Sequence, residues 1–226
     1  MTYAILGALN QEVALIKEQM SVTAQTEALG TVFFSGTLFG KSIVVACCGI
    51  GKVNAAACAT YLLLHLKCDA IINIGIAGAI AHGLKTLDVV VSRELCFHDQ
   101  DDVMLKYFPA RRFFEGDATL LALCEKACAQ PGVLRGKLHI GRIASGDQFG
   151  AARGMRDRII ATCFPDFLEL EGAAIAHVAF ATQKPCLIIR TMSDCADDDA
   201  SVTYDNFLDC AATQSAHIIL SMLSLA

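Results

Sequence analysis

Short apolar runs and longer stretches of helical spacing alternate along this chain. Tyr3–Ala8, Ile43–Cys48, Ala70–Ile74, Asp88–Ser92, Lys137–Ala144 and Leu187–Ile189 are brief and largely apolar. Runs of this kind predict strands covered on both faces. Gln11–Met20, Ala118–Gln130, Ala173–Ala181 and Tyr204–Leu225 have helical character. Residues 31–48 read as a β-hairpin punctuated by Gly36 and Gly40, with Ile43–Cys48 as its return strand. CGIGKVNAAACATYLLLHL follows, a Gly-x-Gly turn opening a helix of small residues. Strands alternating with helices predict an α/β fold around a central mixed sheet. No repeat, linker or low-complexity segment interrupts residues 1–226, so one domain is expected.

Residues 166–194, DFLELEGAAIAHVAFATQKPCLIIRTMSD, organise the rest. They read as strand, helix, strand. Glu169 and Glu171 close the first strand; Arg190, Ser193 and Asp194 close the second. Charged groups just past such strands lie at the carboxyl edge of the sheet, where open α/β folds bind ligands.

Composition narrows the function. The net charge is -5 with no Lys/Arg block, which argues against nucleic acid or an anionic membrane as partner. The longest apolar stretch, near residues 43–64, is cut by Gly49, Gly51 and Lys52, so no membrane span is expected. The N-terminal MTYAILGALNQE lacks the pattern of a signal peptide. Eleven Cys, an odd number without a CxxC pair, predict buried reduced thiols in a cytoplasmic protein. The His residues are dispersed without HExxH, so neither a metal site nor a cofactor is predicted. Apolar residues make up 54%, enough for a large core and for extra surface buried in an oligomer.

Several residues carry two readings. Glu12 is a solvated acid favoured by the helix dipole, or a site acid past the first strand. Gly75 and Gly78 mark backbone approaching a ligand, or a tight turn. Phe149, between Gly146 and Gly150, is a stacking platform or a core aromatic. The polar, aromatic loop from Phe97 to Asp117 fits a lid or an interface, and its Arg111–Arg112 pair an anion site or a solvated surface. Asp197, Asp198 and Asp199 read as a solvated loop.

In order, ILGALNQEV, CGIGKVNAA, IINIGIAGAI, SGDQF, LELEGAAIAHV and IIRTMSDCAD resemble the 5′-methylthioadenosine/S-adenosylhomocysteine nucleosidases. These belong with the purine nucleoside and uridine phosphorylases. The resemblance covers nearly the whole chain. It implies a single-domain three-layer αβα sandwich with a central mixed β-sheet, a homodimer, and a place in methionine salvage. The implied activity is hydrolysis of an adenine nucleoside to adenine and the ribose derivative. By that resemblance Asp194 protonates the leaving base, Glu12 activates water, Glu171 accepts the ribose hydroxyls, and Arg190 orients the water and its carboxylate neighbours. A helix start at Glu171 is expected to help keep it ionised. Phe149 would stack on adenine and the Gly150 backbone would read its edge. Ile50, Ile76, Leu170, Ser193 and Phe207 complete the implied substrate site.

Phosphorylases of the family hold phosphate with arginines, one near the N-terminus. Here the first Arg is Arg93, and a carboxylate at Glu12 would repel phosphate. Three positions depart from the resemblance. Ile76 stands where Ser is common, Leu170 replaces a ribose-facing Met, and DQDDVMLKYFPARR replaces the segment shaping the 5′ pocket. A phosphate-dependent phosphorylase, a futalosine-type hydrolase and a non-catalytic nucleoside-binding protein therefore stay open as alternatives.

Overall fold

Ten strands build one mixed sheet: β1 (Thr2–Gly7), β2 (Ser21–Ala28), β3 (Thr31–Leu38), β4 (Lys41–Cys47), β5 (Ala70–Ala79), β6 (Val89–Phe97), β7 (Phe114–Glu115), β8 (Leu138–Ser145), β9 (Phe167–Glu169) and β10 (Cys186–Cys195). The computed structural model describes residues 1–79, 84–148, 153–195 and 200–226; the side chains of Ala79, Arg153, residues 193–195 and residues 200–208 are outside that description. The strand order is β10-β6-β8-β9-β5-β1-β4-β3-β2, with β7 paired to β6. Because β10 also pairs with β5, strands β5, β9, β8, β6 and β10 close into a ring. Strands β1, β4, β3 and β2 extend from it as an open wing.

Among the described residues six α-helices cover the sheet: α1 (Asn10–Gln19), α2 (Lys52–Thr60), α3 (Ala118–Cys128), α4 (Arg153–Cys163), α5 (Gly172–Thr182) and α6 (Ala200–Leu225). Alternation along each strand sends successive side chains to opposite faces. One face packs Leu6, Ile71 and Ile188 against Ala55 and Ala59 of α2 and Ala173 and Ala176 of α5. The other packs Ile5, Ile72 and Ile189 against Ile16 of α1, Leu120 of α3 and Ile219 of α6. This is the three-layer αβα sandwich. Leu187, Ile188 and Ile189 have no exposed surface, as expected of a strand covered on both faces. Among the described residues, no helix is long and apolar enough to cross a membrane.

The structure corrects several boundaries. Gly40 sits with Phe39 in the two-residue turn between β3 and β4, both at positive φ. Gly36 instead lies inside β3, where a Cβ would fall 2.1 Å from the Ser21 carbonyl oxygen. The strand it meets, β2, is nearly all exposed and so has no apolar face to announce it. Gly75 and Gly78 are not in a turn: β5 runs straight through both. Likewise β10 continues past Arg190 to Cys195, so Arg190 is inside the sheet, opposite Gly75, rather than beyond its edge. The Arg111–Arg112 pair is not simply solvated: Arg112 pairs with Asp102, and the Arg111 guanidinium lies 4.1 Å from the Phe180 ring centre. Asp197, Asp198 and Asp199 lie outside the described residues.

Candidate active site

Arg190 is the centre of the site, a guanidinium 1% exposed in the middle of β10. A buried cation needs paired acceptors. Its Nη2 donates to Glu169 Oε2 at 2.5 Å and to Asn73 Oδ1 at 2.5 Å, and lies 3.6 Å from Glu171 Oε2. Breaking a buried pair of this kind by removing one partner costs about 3–5 kcal/mol. Glu12 supplies a third carboxylate close enough for the Arg190 charge to lower its pKa.

Glu12 is not a solvated acid. It is 2% exposed, in the first turn of α1. Its Oε2 accepts the N–H groups of Ala8 and Leu9 at 2.7 and 2.9 Å, and its Oε1 accepts that of Ile76 at 3.2 Å. Burial pushes its carboxyl above the ordinary range, against the Arg190 charge and those three N–H groups. Gly75 makes this packing possible. A Cβ there would stand 2.7 Å from Glu12 Oε1 and 3.4 Å from the guanidinium carbon of Arg190. The glycine-rich run of β5 is thus a strand thinned to admit a buried acid and base.

Glu169 and Glu171 are two residues apart and differ in support. Glu169 Oε2 takes the N–H groups of Glu171 and Gly172 at 3.0 and 2.7 Å, and its Oε1 takes the Ser145 hydroxyl. Ser145 Oγ in turn accepts the Ala173 N–H at 2.7 Å. The free N–H groups at the start of α5 are therefore spent on Glu169 and Ser145. Among the described residues Glu171 receives one backbone N–H, that of Gly51 at 2.9 Å, from the start of α2. The helix start therefore lends its N–H groups to Glu169 and Ser145 rather than to Glu171. Burial and repulsion from Glu169 lift it to about 7, with Arg190 and the Gly51 N–H opposing.

The fold brings Glu12, Glu171 and Arg190 together, with the Ile76 backbone bonded to Glu12. Leu170 is half-buried between Glu169 and Glu171. Ile50 is 51% exposed on the turn between Gly49 and Gly51, beside the N–H that holds Glu171. The Asp194 backbone pairs with Gly78 after a register shift from Met192. The side chains of Ser193, Asp194 and Phe207 lie outside the described residues, as do Phe149 and Gly150 altogether. Two partners of Arg190 were not among the predicted site residues. Glu169 was visible as a strand-end acid; Asn73 was visible as the one polar residue in the run AIINI.

A buried cation among three carboxylates, two of them shifted upward, can hold and exchange a proton near neutral pH. Such a site suits cleavage at a sugar carbon, where one group must take a proton from water and others must balance positive charge. Residues 2–224 match the family model described as the phosphorylase superfamily. The chain is 38% identical over 231 residues to the 5′-methylthioadenosine/S-adenosylhomocysteine nucleosidase of Actinobacillus succinogenes, covering 99% of each chain. It superposes with a TM-score of 0.92 and 33% identity on the nucleosidase of that kind from Colwellia psychrerythraea, solved in complex with adenine, covering 99% of this chain and 94% of that one. A futalosine hydrolase from Helicobacter pylori superposes with a TM-score of 0.91 and 30% identity, covering 100% and 98%.

Proposed function

We propose that this chain, which belongs to the phosphorylase superfamily and within it to the 5′-methylthioadenosine/S-adenosylhomocysteine nucleosidases, hydrolyses the N-glycosidic bond of adenine nucleosides. The products are adenine and the free ribose derivative. The observation that carries this reading is Glu12, a buried acid with raised pKa held beside Arg190.

The bond breaks toward a ribosyl cation, the leaving purine takes a proton, and water adds to the sugar carbon. We assign Glu12 as the base that takes the water's proton. Its upward shift moves it toward the working pH, which makes it a stronger base than an ordinary carboxylate. Glu171 accepts the ribose hydroxyls, and Arg190 holds both acids in register. Asp194 donates the proton to the leaving base. Phe149 stacks on that base, the Gly150 backbone reads its edge, and Ile50, Ile76, Leu170, Ser193 and Phe207 line the rest. Water rather than phosphate is the nucleophile in this reading, because the Glu12 carboxylate in the site would repel phosphate and no Arg precedes Arg93. A homodimer, a cytoplasmic location and a role in methionine salvage go with the same proposal. The free thiols of the described cysteines support a reducing compartment.

The test is incubation of the purified protein with methylthioadenosine, S-adenosylhomocysteine, adenosine and inosine, with and without phosphate. Adenine release from the thio-nucleosides without phosphate is expected; release only with phosphate would make it a phosphorylase. A futalosine-type substrate is the second reading. It is favoured by the Helicobacter pylori neighbour and by the altered DQDDVMLKYFPARR segment. Faster cleavage of aminofutalosine than of methylthioadenosine would select it.

A further inference from the structure

Asn73 is a fully buried amide in the otherwise apolar start of β5, and the proposed chemistry gives it no part. A buried amide is costly unless its hydrogen-bonding groups are met. Its Nδ2 donates to the Leu6 carbonyl of β1 at 2.7 Å and, more weakly, to that of Ile74 at 3.4 Å. Those two carbonyls fix the amide's orientation. A flipped amide would set Oδ1 against them and its NH2 against a guanidinium. Oδ1 therefore faces Arg190 and lies 2.5 Å from Nη2. Asn73 and Gly75 share one face of β5, and Gly75 is the residue opposite Arg190 on β10.

The Nη2 group of Arg190 carries two hydrogens. One goes to Asn73 Oδ1 and the other to Glu169 Oε2, each at 2.5 Å. Both are spent, so Glu171 Oε2, at 3.6 Å, meets the Arg190 charge from beyond hydrogen-bond distance. The rest of the guanidinium is held more loosely. Nη1 donates to the Ile189 carbonyl of its own strand at 3.2 Å, and Nε has no partner among the described residues. Glu169 is fixed from its other side by the Ser145 hydroxyl and the N–H groups of Glu171 and Gly172. Without the Asn73 oxygen one Nη2 hydrogen would be left in a buried site, and the next carboxylate in reach is that of Glu171.

We infer that Asn73 is a positioning residue: it holds the Arg190 guanidinium on Glu169 and off Glu171, and so keeps the Glu171 carboxylate for the ribose hydroxyls. The use made of Glu171 rests on the functional reading above; the placement of Arg190 rests on geometry alone. The charged or titratable groups around Glu171, among the described residues, are Glu169 of β9, Glu12 of α1, Arg190 of β10 and the Cys48 thiol after β4, which burial and Glu171 hold above its ordinary range. Of these only Arg190 is expected to move when Asn73 is replaced.

Carbon-13 NMR of the glutamate side-chain carboxyls, in the full-length protein titrated from about pH 4 to 9, reads Glu171 directly, and Glu171→Gln assigns its signal. The wild-type midpoint is expected at about 7. In Asn73→Leu, close to the amide in size but unable to accept, Arg190 turns to Glu171 and the midpoint should fall by about one pH unit. Asn73→Asp keeps an acceptor for Nη2, so its midpoint should stay at or above the wild-type value. A role in packing alone would move both variants alike. KM for methylthioadenosine should rise about tenfold in Asn73→Leu, with a smaller change in kcat, because Arg190 then competes with the ribose hydroxyls for the carboxylate. Asn73→Asp should raise it less. If Asn73→Leu does not fold, Asn73→Ser, too short to reach Nη2, takes its place with the same expectations. A midpoint unchanged or raised in Asn73→Leu, or lowered equally in Asn73→Asp, overturns the inference, as does an unchanged KM. Wild-type protein that cleaves no adenine nucleoside overturns the functional reading, while the midpoints still decide where Asn73 places Arg190.

Discussion

Asp88 and Glu171 are both buried acids, 4% and 5% exposed, and their surroundings treat the charge in opposite ways. Asp88, at the entrance to β6, accepts the N–H of Lys137 on one oxygen at 2.7 Å and that of Lys85 on the other at 2.9 Å, and His139 Nε2 stands 3.4 Å away. Burial pushes its carboxyl up, but those donors outweigh it and hold the group below the ordinary range. Glu171 has one backbone donor, an Arg190 contact at 3.6 Å and two carboxylate neighbours, and is lifted to about 7. The first acid is stabilised as an anion and pins β6 to β8. The second, among the described residues, takes one backbone N–H and lies beside two other carboxylates. The donors and charges around a buried acid, more than burial itself, separate these two carboxylates.

Four measurements sharpen or break that contrast. The largest effect is expected where the proposed chemistry is removed. Asp194→Asn and Glu12→Gln should each lower kcat by about 10²–10⁴-fold, the usual worth of a general acid or base, while nucleoside binding survives. A fully active Glu12→Gln protein would show that another group activates water. Next comes the scaffold acid. Asp88→Ala strands two buried N–H groups and should cost about 2–3 kcal/mol, a Tm drop of roughly 5–10 °C, with little change in kcat of the folded enzyme. An unaltered Tm would mean that water replaces the carboxylate without loss.

The third effect has the reverse sign. Glu171 binds its proton more tightly in the folded chain than in the unfolded one, so ionising it costs stability as pH rises from about 4.5 through 7. Glu171→Gln should therefore abolish activity yet stabilise the protein by about 1–2 kcal/mol at pH 8, with the gain vanishing near pH 4. Chemical denaturation across that range reads it, and a variant less stable than wild type at pH 8 would refute the contrast. The smallest effect belongs to Asp88 and runs the other way. Its lowered pKa contributes stability that is complete above the unfolded value and is lost as pH falls through the folded one. The gap between wild type and Asp88→Ala should narrow below about pH 4.

Much of this arrangement could be read before the fold was known. Apolar runs located most strands, because a strand covered on both faces must be apolar at every position. The strand–helix–strand at 166–194 held its outline, with β9, α5 and β10 in place. Edge strand β2 escaped notice because it buries almost nothing. The reach of β5 through Gly75 and Gly78 was hidden for a different reason: glycine inside a strand looks like a turn until the group that needs its missing Cβ is known.

What the sequence determined by itself was the inventory and its order: acids and a base near strand ends, an α/β alternation, and a net charge of -5. Those follow from side-chain chemistry and from periodicities of two and 3.6 residues, which are local. The tertiary structure decided which carboxylate meets which donor. Glu12, Asn73, Glu169, Glu171 and Arg190 come from three strands (β5, β9, β10) and two helix starts (α1, α5); closure of the β5–β9–β8–β6–β10 ring gathers the last four, and the pairing of β1 with β5 brings in Glu12. The start of α5 shows why no local rule could do this. Its N–H groups favour an anion, and the fold gave them to Glu169, leaving Glu171 to Gly51 from a strand–helix turn 120 residues away. A carboxylate's charge state depends on neighbours within a few ångströms, and those neighbours are set by packing rather than by sequence distance.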